Sequence, residues 1–158
     1  MDPIYIEYGS RLLIAMLLGI AIGTERVFKH KTAGMRTYAM VAVGAALFSI
    51  CSHLVYMQYY VGTDFNTASI PAAIVTGVGF LGAGLMIWKD SHLVGLTSAT
   101  GFWICAAIGM AAGYGLYPIA IFATILTLFV FVFLWAIEMH LRKFIDKKDG
   151  TIRNTTEE

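Results

Sequence analysis

Three long stretches without a charged side chain limit what this chain can fold into. Residues 37–63, 65–88 and 93–137 contain no Asp, Glu, Lys or Arg. Because about 20 apolar residues cross the hydrocarbon core of a bilayer as a helix, the first two stretches hold one crossing each and the third holds two. Only 13% of the residues are charged and 58% are hydrophobic, against about 25% charged in soluble domains. The surplus apolar surface must therefore face lipid.

These stretches predict an all-α fold, a polytopic membrane bundle of five transmembrane helices. The spans are expected at about 4–23, 37–60, 70–88, 93–115 and 118–137. Two glycines and a proline within residues 113–118 predict the tight turn that separates the last two spans. Together the spans form a transmembrane domain over residues 1–140, and residues 141–158 form a basic tail.

The first segment differs from the other spans because it carries charge. Glu7 and Arg11 are four residues apart, so on a helix they share one face and can form an ion pair. Both lie near one end, where an arginine side chain can reach the membrane interface. We interpret the segment as a first span. The alternative is an amphipathic helix on the membrane surface, which would leave four spans.

Basic residues are concentrated on one side of the predicted bundle. Ten of the eleven Lys and Arg residues fall in segment 24–36, in the short loop after the third span, or in the tail. Because cytoplasmic loops are enriched in Lys and Arg, this side is expected in the cytoplasm. The N-terminus is then outside and the C-terminus inside, as in a multi-pass protein of the bacterial inner membrane.

Small residues distinguish the third and fourth predicted spans from the fifth. Helices approach closely in lipid when the face in contact carries small side chains. We therefore expect these two spans at the centre, and the fifth, rich in Phe, Leu, Ile and Val, at the lipid-facing edge. Five helices cover only part of such a surface, which favours homodimerisation or binding to another membrane protein. The predicted helix-packing glycines are Gly77, Gly79, Gly82, Gly84, Gly101 and Gly109.

Polar side chains that could carry chemistry collect on the predicted cytoplasmic side. They are Glu25, Arg26, Arg36, Thr37, Asp90, Thr97, Ser98 and Thr100. One interpretation is that they set the topology and cap helix ends. The functional interpretation is a site for a cation, a small anion or a partner's loop, since helix starts favour anions and carboxylates. Within this cluster we expect Glu25 to pair with Arg36 across the short connection.

Sequence signatures of enzymes are absent from the chain. The run GVGFLG at 77–82 matches GxGxxG by letter, but it lies inside an uncharged span with no strand before it. We expect no catalytic residues, no cofactor and no nucleic-acid partner. Two functions remain, a regulatory or interaction protein and a transporter or channel for a cation or small solute. The sequence leaves open whether a metal ion binds.

Ordered blocks of the sequence resemble the MgtC/SapB family. They are GTER at 23–26, AGMRT at 33–37, GVGFLGAG at 77–84, GLTSAT at 95–100 and AAIGMA at 106–111. The similarity runs from about residue 12 to residue 115. It implies an inner-membrane protein of four or five spans, linked to growth under magnesium limitation and, in intracellular pathogens, to virulence. It also implies action by binding other membrane proteins.

The chain departs from that family pattern in two places. Many members have an Asp-Pro-x-Arg stretch before the third span and a Gln within it. Here the corresponding residues are Asn66-Thr67-Ala68-Ser69 and Ala73. An outer-side charge pair is therefore missing, and any role that depends on it does not transfer. Longer members also carry a soluble C-terminal domain, whose functions are not expected of this chain.

Overall fold

Five helices, antiparallel from one to the next along the chain, account for most of the structure. The computed structural model describes residues 3–61, 66, 68–89, 91–141, 143 and 145. The helices are α1 (Pro3–Phe28), α2 (Met35–Tyr59), α3 (Ser69–Gly84), α4 (Leu96–Gly113) and α5 (Tyr117–Phe129). Helix α5 continues through a π-helical turn, Val130–Leu134, so that the whole helical segment is Tyr117–Leu141.

Four of these helices are long and apolar enough to cross a membrane. They are Ile4–Phe28, Met35–Tyr59, Leu96–Gly113 and Tyr117–Leu141. Helix α3 has 16 residues and is about 24 Å long, which is less than the roughly 30 Å of a hydrocarbon core. The protein is therefore an all-α membrane bundle with four candidate spans and one shorter apolar helix.

A β-hairpin lies where the sequence predicted the end of the third span. Helix α3 ends at Gly84 rather than near residue 88, and strand β1 (Ile87–Lys89) pairs antiparallel with β2 (His92–Val94). Gly95 makes the next turn, because its φ of +93° suits glycine and a side chain there would collide with the carbonyl of Leu85. The hairpin, the end of α1 and the starts of α2 and α4 share one end of the bundle, called here the hairpin end.

Close backbone contacts place α1, α2 and α4 at the centre. A methyl group at Gly19 of α1 would lie 2.9 Å from the Cα of Ala39, and one at Gly109 of α4 would lie 2.8 Å from the Cα of Ala42. The prediction of a central third span is wrong, because α3 buries only Ile74, Val78 and Gly82. The small residues that allow close approach also occur in α1 and α2, which pack on α4 instead.

Helix α5 covers the bundle with one face. Its buried residues follow a spacing of four and three along the helix and its π-turn, and they are Ala120, Thr124, Thr127 and Phe131. Thr124 and Thr127 donate their hydroxyl protons to the carbonyls four residues earlier, so no polar side chain on this face lacks a partner in the apolar interior. Most of the remaining large side chains of α5 are exposed, which fits a helix that faces lipid.

Candidate functional site

A buried ion pair lies near the end of α1. Glu25 is 8% exposed and Arg26 is 2% exposed, and the guanidinium of Arg26 contacts Oε2 of Glu25 through both Nε and Nη2. The predicted pairing of Glu25 with Arg36 is therefore wrong. Helix α1 continues to Phe28 instead of ending at residue 23, because nothing in residues 24–28 breaks it, and this carries Glu25 and Arg26 into the bundle.

An aromatic ring from α5 closes the other side of the arginine. The guanidinium carbon of Arg26 lies 3.6 Å from the ring centroid of Phe131. Phe131 is 7% exposed and belongs to the π-helical turn. A desolvated cation over an aromatic face contributes about 2 kcal/mol or more. The π-turn thus gives Arg26 a second partner besides Glu25.

Tyr38 connects this pair to α4. Its side chain is fully buried, and its hydroxyl donates a hydrogen bond of 3.1 Å to the backbone carbonyl of Ser98. Gly101 leaves room for both rings, because a methyl group there would contact the Tyr38 hydroxyl and lie 2.9 Å from the ζ carbon of Phe131. We call Glu25, Arg26, Tyr38, Ser98, Gly101 and Phe131 the junction, since it brings together α1, α2, α4 and α5.

Two polar atoms of the junction have no hydrogen-bond partner among the described residues. They are Oε1 of Glu25 and Nη1 of Arg26. A buried polar atom without a partner costs free energy, so each such atom in a native protein needs an explanation, such as bound water or a ligand. The junction is a preformed pair of opposite charges that can still accept a hydrogen bond at Oε1 of Glu25 and donate from Nη1 of Arg26.

The structure separates the remaining residues of the predicted polar cluster. Arg36 and Thr37 are exposed at the start of α2, and Thr97 and Thr100 are exposed at the start of α4. The Thr100 hydroxyl donates to the carbonyl of Thr97 at 3.0 Å. Asp90 lies outside the described residues. Of the seven predicted residues that the structure describes, Glu25, Arg26 and Ser98 therefore meet in one site.

The six predicted packing glycines divide into two groups. A methyl group at Gly82 would be in ordinary contact with Ala99, 3.6 Å from its Cβ, and Gly101 and Gly109 face neighbouring side chains and backbone closely. Methyl groups at Gly77, Gly79 and Gly84 would meet nothing within 4 Å. Half of these glycines therefore pack inside the chain, and the other half have open space beside them.

An apolar groove runs between α2 and α3, with Phe102 of α4 in its wall. Its volume is about 670 Å³. Gly44 of α2 and Gly77 of α3 both line it, and neither has a neighbour within 4 Å of where a side chain would begin. We call it the α2–α3 groove. It adjoins the junction, because Phe102 in its wall packs edge-on against the Tyr38 ring, with 4.8 Å between the ring centroids.

Two residues of the junction, Tyr38 and Phe131, were not among the residues predicted from the sequence. Tyr38 directly follows the predicted Thr37, and a phenol near the start of an apolar helix needs a partner for its hydroxyl, which is a usable signal. Phe131 sits in the run Leu128–Leu134 among other large apolar residues, and nothing in that run marks it. No cluster of three or more His, Cys, Asp or Glu side chains that could hold a metal ion occurs in the described part of the chain.

Comparison with known proteins places the chain in a family. A sequence model of the MgtC family matches residues 12–140. The chain belongs to the MgtC family. The matched segment contains α2 to α5 and all six junction residues, and a multi-pass location in the bacterial inner membrane follows from this membership and from the apolar helices.

Several relatives of this MgtC-family chain are more than 30% identical to it. It is 41% identical over 128 residues to a protein of Escherichia coli K12 named "Putative magnesium transporter YhiD", covering 78% of this chain and 59% of the relative. Identity to "Protein MgtC" of Brucella abortus is 43% over 111 residues, covering 70% and 44%. The chain spans about half the length of the curated relatives it matches. No solved structure matches it.

Proposed function

We propose that this MgtC-family chain is a regulatory or interaction protein of the inner membrane that acts in magnesium homeostasis. The observation that carries the proposal is an exposed face of small residues on α3. Ala72, Thr76, Gly79 and Ala83 are all exposed, and their spacing of four, three and four residues puts them on one side of the helix. This side points away from the buried Ile74.

In a bilayer, such a face can bind another helix. Lipid tails are as apolar as the helix, so helices associate in a membrane through close packing of small residues and hydrogen bonds between helices. The face combines both, since Thr76 supplies a hydroxyl between alanines and a glycine. The Thr76 hydroxyl donates a hydrogen bond of 3.0 Å to the Ala72 carbonyl. The lone pairs of the hydroxyl oxygen can still accept a hydrogen bond from a partner.

Magnesium enters the proposal through the relatives. One of them is named "Putative magnesium transporter YhiD", and the similarity covers the helices that build both the junction and α3. We further propose that all five helices span the membrane with the hairpin end in the cytoplasm. Arg26, Lys29, Lys31, Arg36 and Lys89 lie at or next to this end, which agrees with the enrichment of basic residues in cytoplasmic loops.

Co-purification from mild detergent tests the interaction. Full-length chain carrying Gly79→Leu should lose a partner membrane protein that wild type retains, because leucine separates the two helices. Phe80→Leu is the matched control, since Phe80 is 80% exposed on a neighbouring side of the same helix. Equal recovery of the partner with wild type and with Gly79→Leu would refute the proposed face.

A second copy of the chain is one candidate partner, and cysteine crosslinking tests it. Gly79→Cys would be made with Cys51→Ser, because Cys51 is exposed and Cys105 is buried. A disulfide-linked dimer in native membranes would identify a homodimer through this face. A monomer that still retains another membrane protein would identify a heteromeric partner instead.

A transporter or channel for magnesium or another cation is the second candidate. The observation that favours it is the buried Glu25, whose Oε1 has no partner among the described residues. Purified protein in liposomes should give no magnesium or proton flux if the interaction proposal is correct. Saturable flux that disappears in Glu25→Gln would establish the transporter instead.

A further inference from the structure

The two charges of the junction neutralise each other inside the protein. Glu25 and Arg26 are both buried, and the guanidinium is always ionised, so the positive charge is permanent. Nε and Nη2 of Arg26 both contact the same carboxylate oxygen, Oε2 of Glu25. Magnesium also binds carboxylate oxygens. The guanidinium therefore occupies a position that a metal ion at Glu25 would take.

A second aromatic contact holds α5 over this position. The ring centroid of Trp135 lies 2.9 Å from Nζ of Lys29, one turn further along the chain than the contact of Phe131 with Arg26. In a regular α-helix the buried side of α5 would continue from Phe131 to Leu134. The π-turn brings Trp135 to this side instead. Two cations at the end of α1 are thus each covered by an aromatic ring, and the cover over Arg26 is held at two points.

Moving the guanidinium away from Glu25 is unfavourable for two reasons. Arg26 would lose charge-assisted hydrogen bonds in an apolar interior, where a charge without a partner is costly. A divalent ion that replaced it would have to give up bound water and find further oxygen ligands. While Arg26 stays, an ion at Oε1 of Glu25 is attracted by the carboxylate but repelled by the guanidinium beside it.

We propose that Arg26 is a tethered counter-ion, which takes the place of a metal ion at Glu25 and excludes free cations from the junction. Neutral hydrogen-bonding groups can still pair with Oε1 of Glu25 and Nη1 of Arg26. The assignment goes beyond the proposed interaction function and does not depend on it, because Gly79→Leu on α3 leaves every junction residue in place. It also means that a magnesium route through Glu25 requires the displacement of Arg26.

Unfolding of the full-length chain in mixed micelles tests the assignment, with magnesium chloride compared to choline chloride at equal ionic strength. Wild type should unfold at the same denaturant concentration in both salts. Arg26→Gln leaves Glu25 without its counter-ion, so magnesium should stabilise this variant. Its ratio of folded to unfolded protein should rise about tenfold for each tenfold rise in magnesium above the dissociation constant. Equal unfolding of Arg26→Gln in both salts would overturn the role of Arg26.

Three further variants separate the carboxylate from the tethered charge. Arg36→Gln is the matched control, since it makes the same change at an exposed arginine and should give no magnesium response. Arg26→Lys keeps a tethered positive charge and should behave as wild type. Glu25→Gln combined with Arg26→Gln should lose the response, because no carboxylate remains. A response in any of these three variants would overturn the proposal.

Paramagnetic broadening by Mn²⁺ gives a measurement on the wild-type protein alone, which remains decisive if Arg26→Gln does not fold. Manganese and magnesium both bind carboxylate oxygens. Because Arg26 keeps such ions out, Mn²⁺ should leave the backbone amide NMR signals of Tyr38 and Gly101 unbroadened. Selective loss of these two signals would show an ion in the junction, which would overturn the proposal and support the cation transporter.

Discussion

Helix α4 contacts α2 on one side and α3 on another, and the two contacts differ in closeness. Towards α2, methyl groups at Gly109 and Gly113 would each lie 2.8 Å from a Cα atom, that of Ala42 and that of Ala46 respectively. Towards α3, the nearest approach at a glycine is ordinary, with Gly82 opposite Ala99. The same residue type thus allows backbone contact in one place and only side-chain contact in the other.

The difference shows what small residues do in a membrane. A glycine brings helices together only where the facing helix is also small, as with Ala42 opposite Gly109. Gly79 on α3 faces no other helix in the described part of the chain, so its surface is open there. We infer that stability resides in the α1–α2–α4 region with the junction, and that α3 is the helix available for binding.

The largest expected effect comes from the buried arginine of the junction. Arg26→Met leaves Glu25 as a buried charge without its partner, which typically costs about 3–5 kcal/mol. Lys89→Met, in the exposed hairpin, should change stability by less than about 0.5 kcal/mol. The measurement is reversible unfolding in mixed micelles, followed by circular dichroism. Similar small effects at both sites would remove the distinction between the two regions.

A double variant shows whether the cost of Arg26→Met comes from the unpaired charge. Glu25→Gln combined with Arg26→Met should be more stable than Arg26→Met alone, since replacing a whole buried pair is often nearly neutral. Additive losses from the two single changes would mean that the residues act independently, in conflict with their contact in the structure.

Glycine-to-alanine changes compare the packed contact between α4 and α2 with the open face of α3. Gly109→Ala forces a methyl group against the backbone of α2 and should cost about 3 kcal/mol, the upper range for overpacking. Gly79→Ala adds the same methyl in open space and should gain up to about 1 kcal/mol through helix propensity. Equal losses in the same unfolding assay would show that the Gly79 face of α3 is packed as tightly as the contact between α4 and α2.

Much of the helical architecture could be predicted from the sequence, because long charge-free runs have few alternatives in a bilayer. The pairing of Glu7 with Arg11 was also predictable from a spacing of four, and the structure confirms it. The hairpin was not. Residues 85–88 and 93–94 lie in apolar runs that predict helix. In the structure α3 ends at Gly84, and the hairpin has a positive φ at Ser91 and at Gly95.

The junction could be predicted only in part. Glu25 and Arg26 could be identified as candidates from the sequence. Their ion pair with each other could not, because it depends on α1 continuing to Phe28. Phe131 reaches Arg26 because of a π-turn, and the inserted residue of such a turn leaves no mark in an apolar run. A single sequence therefore does not predict the tertiary contacts that depend on helix register here.

An intermediate effect is expected from the aromatic ring of the junction. Phe131→Leu keeps an apolar side chain beside Gly101 but removes the aromatic face under Arg26, which should cost about 2 kcal/mol. Phe133→Leu, in the same π-turn, is the matched control, because Phe133 is 49% exposed and stacks on Phe129. If both changes lower the free energy of unfolding equally, the contact of Phe131 with Arg26 does not stabilise the protein more than an exposed aromatic contact does.

The smallest expected effect concerns two residues with left-handed backbone, one in each region. His30 has φ +52° and ends α1 with a Schellman pattern, in which Lys31 N–H bonds to the Arg26 carbonyl and His30 N–H to that of Val27. His30→Gly should relieve strain and raise global stability by about 1 kcal/mol. Ser91→Gly, at φ +64° in the hairpin, should alter global unfolding less, since segments with few buried contacts open locally before the core unfolds. A larger gain from Ser91→Gly would mean that the hairpin unfolds together with α1, α2 and α4, and α3 would then belong to the same cooperative unit.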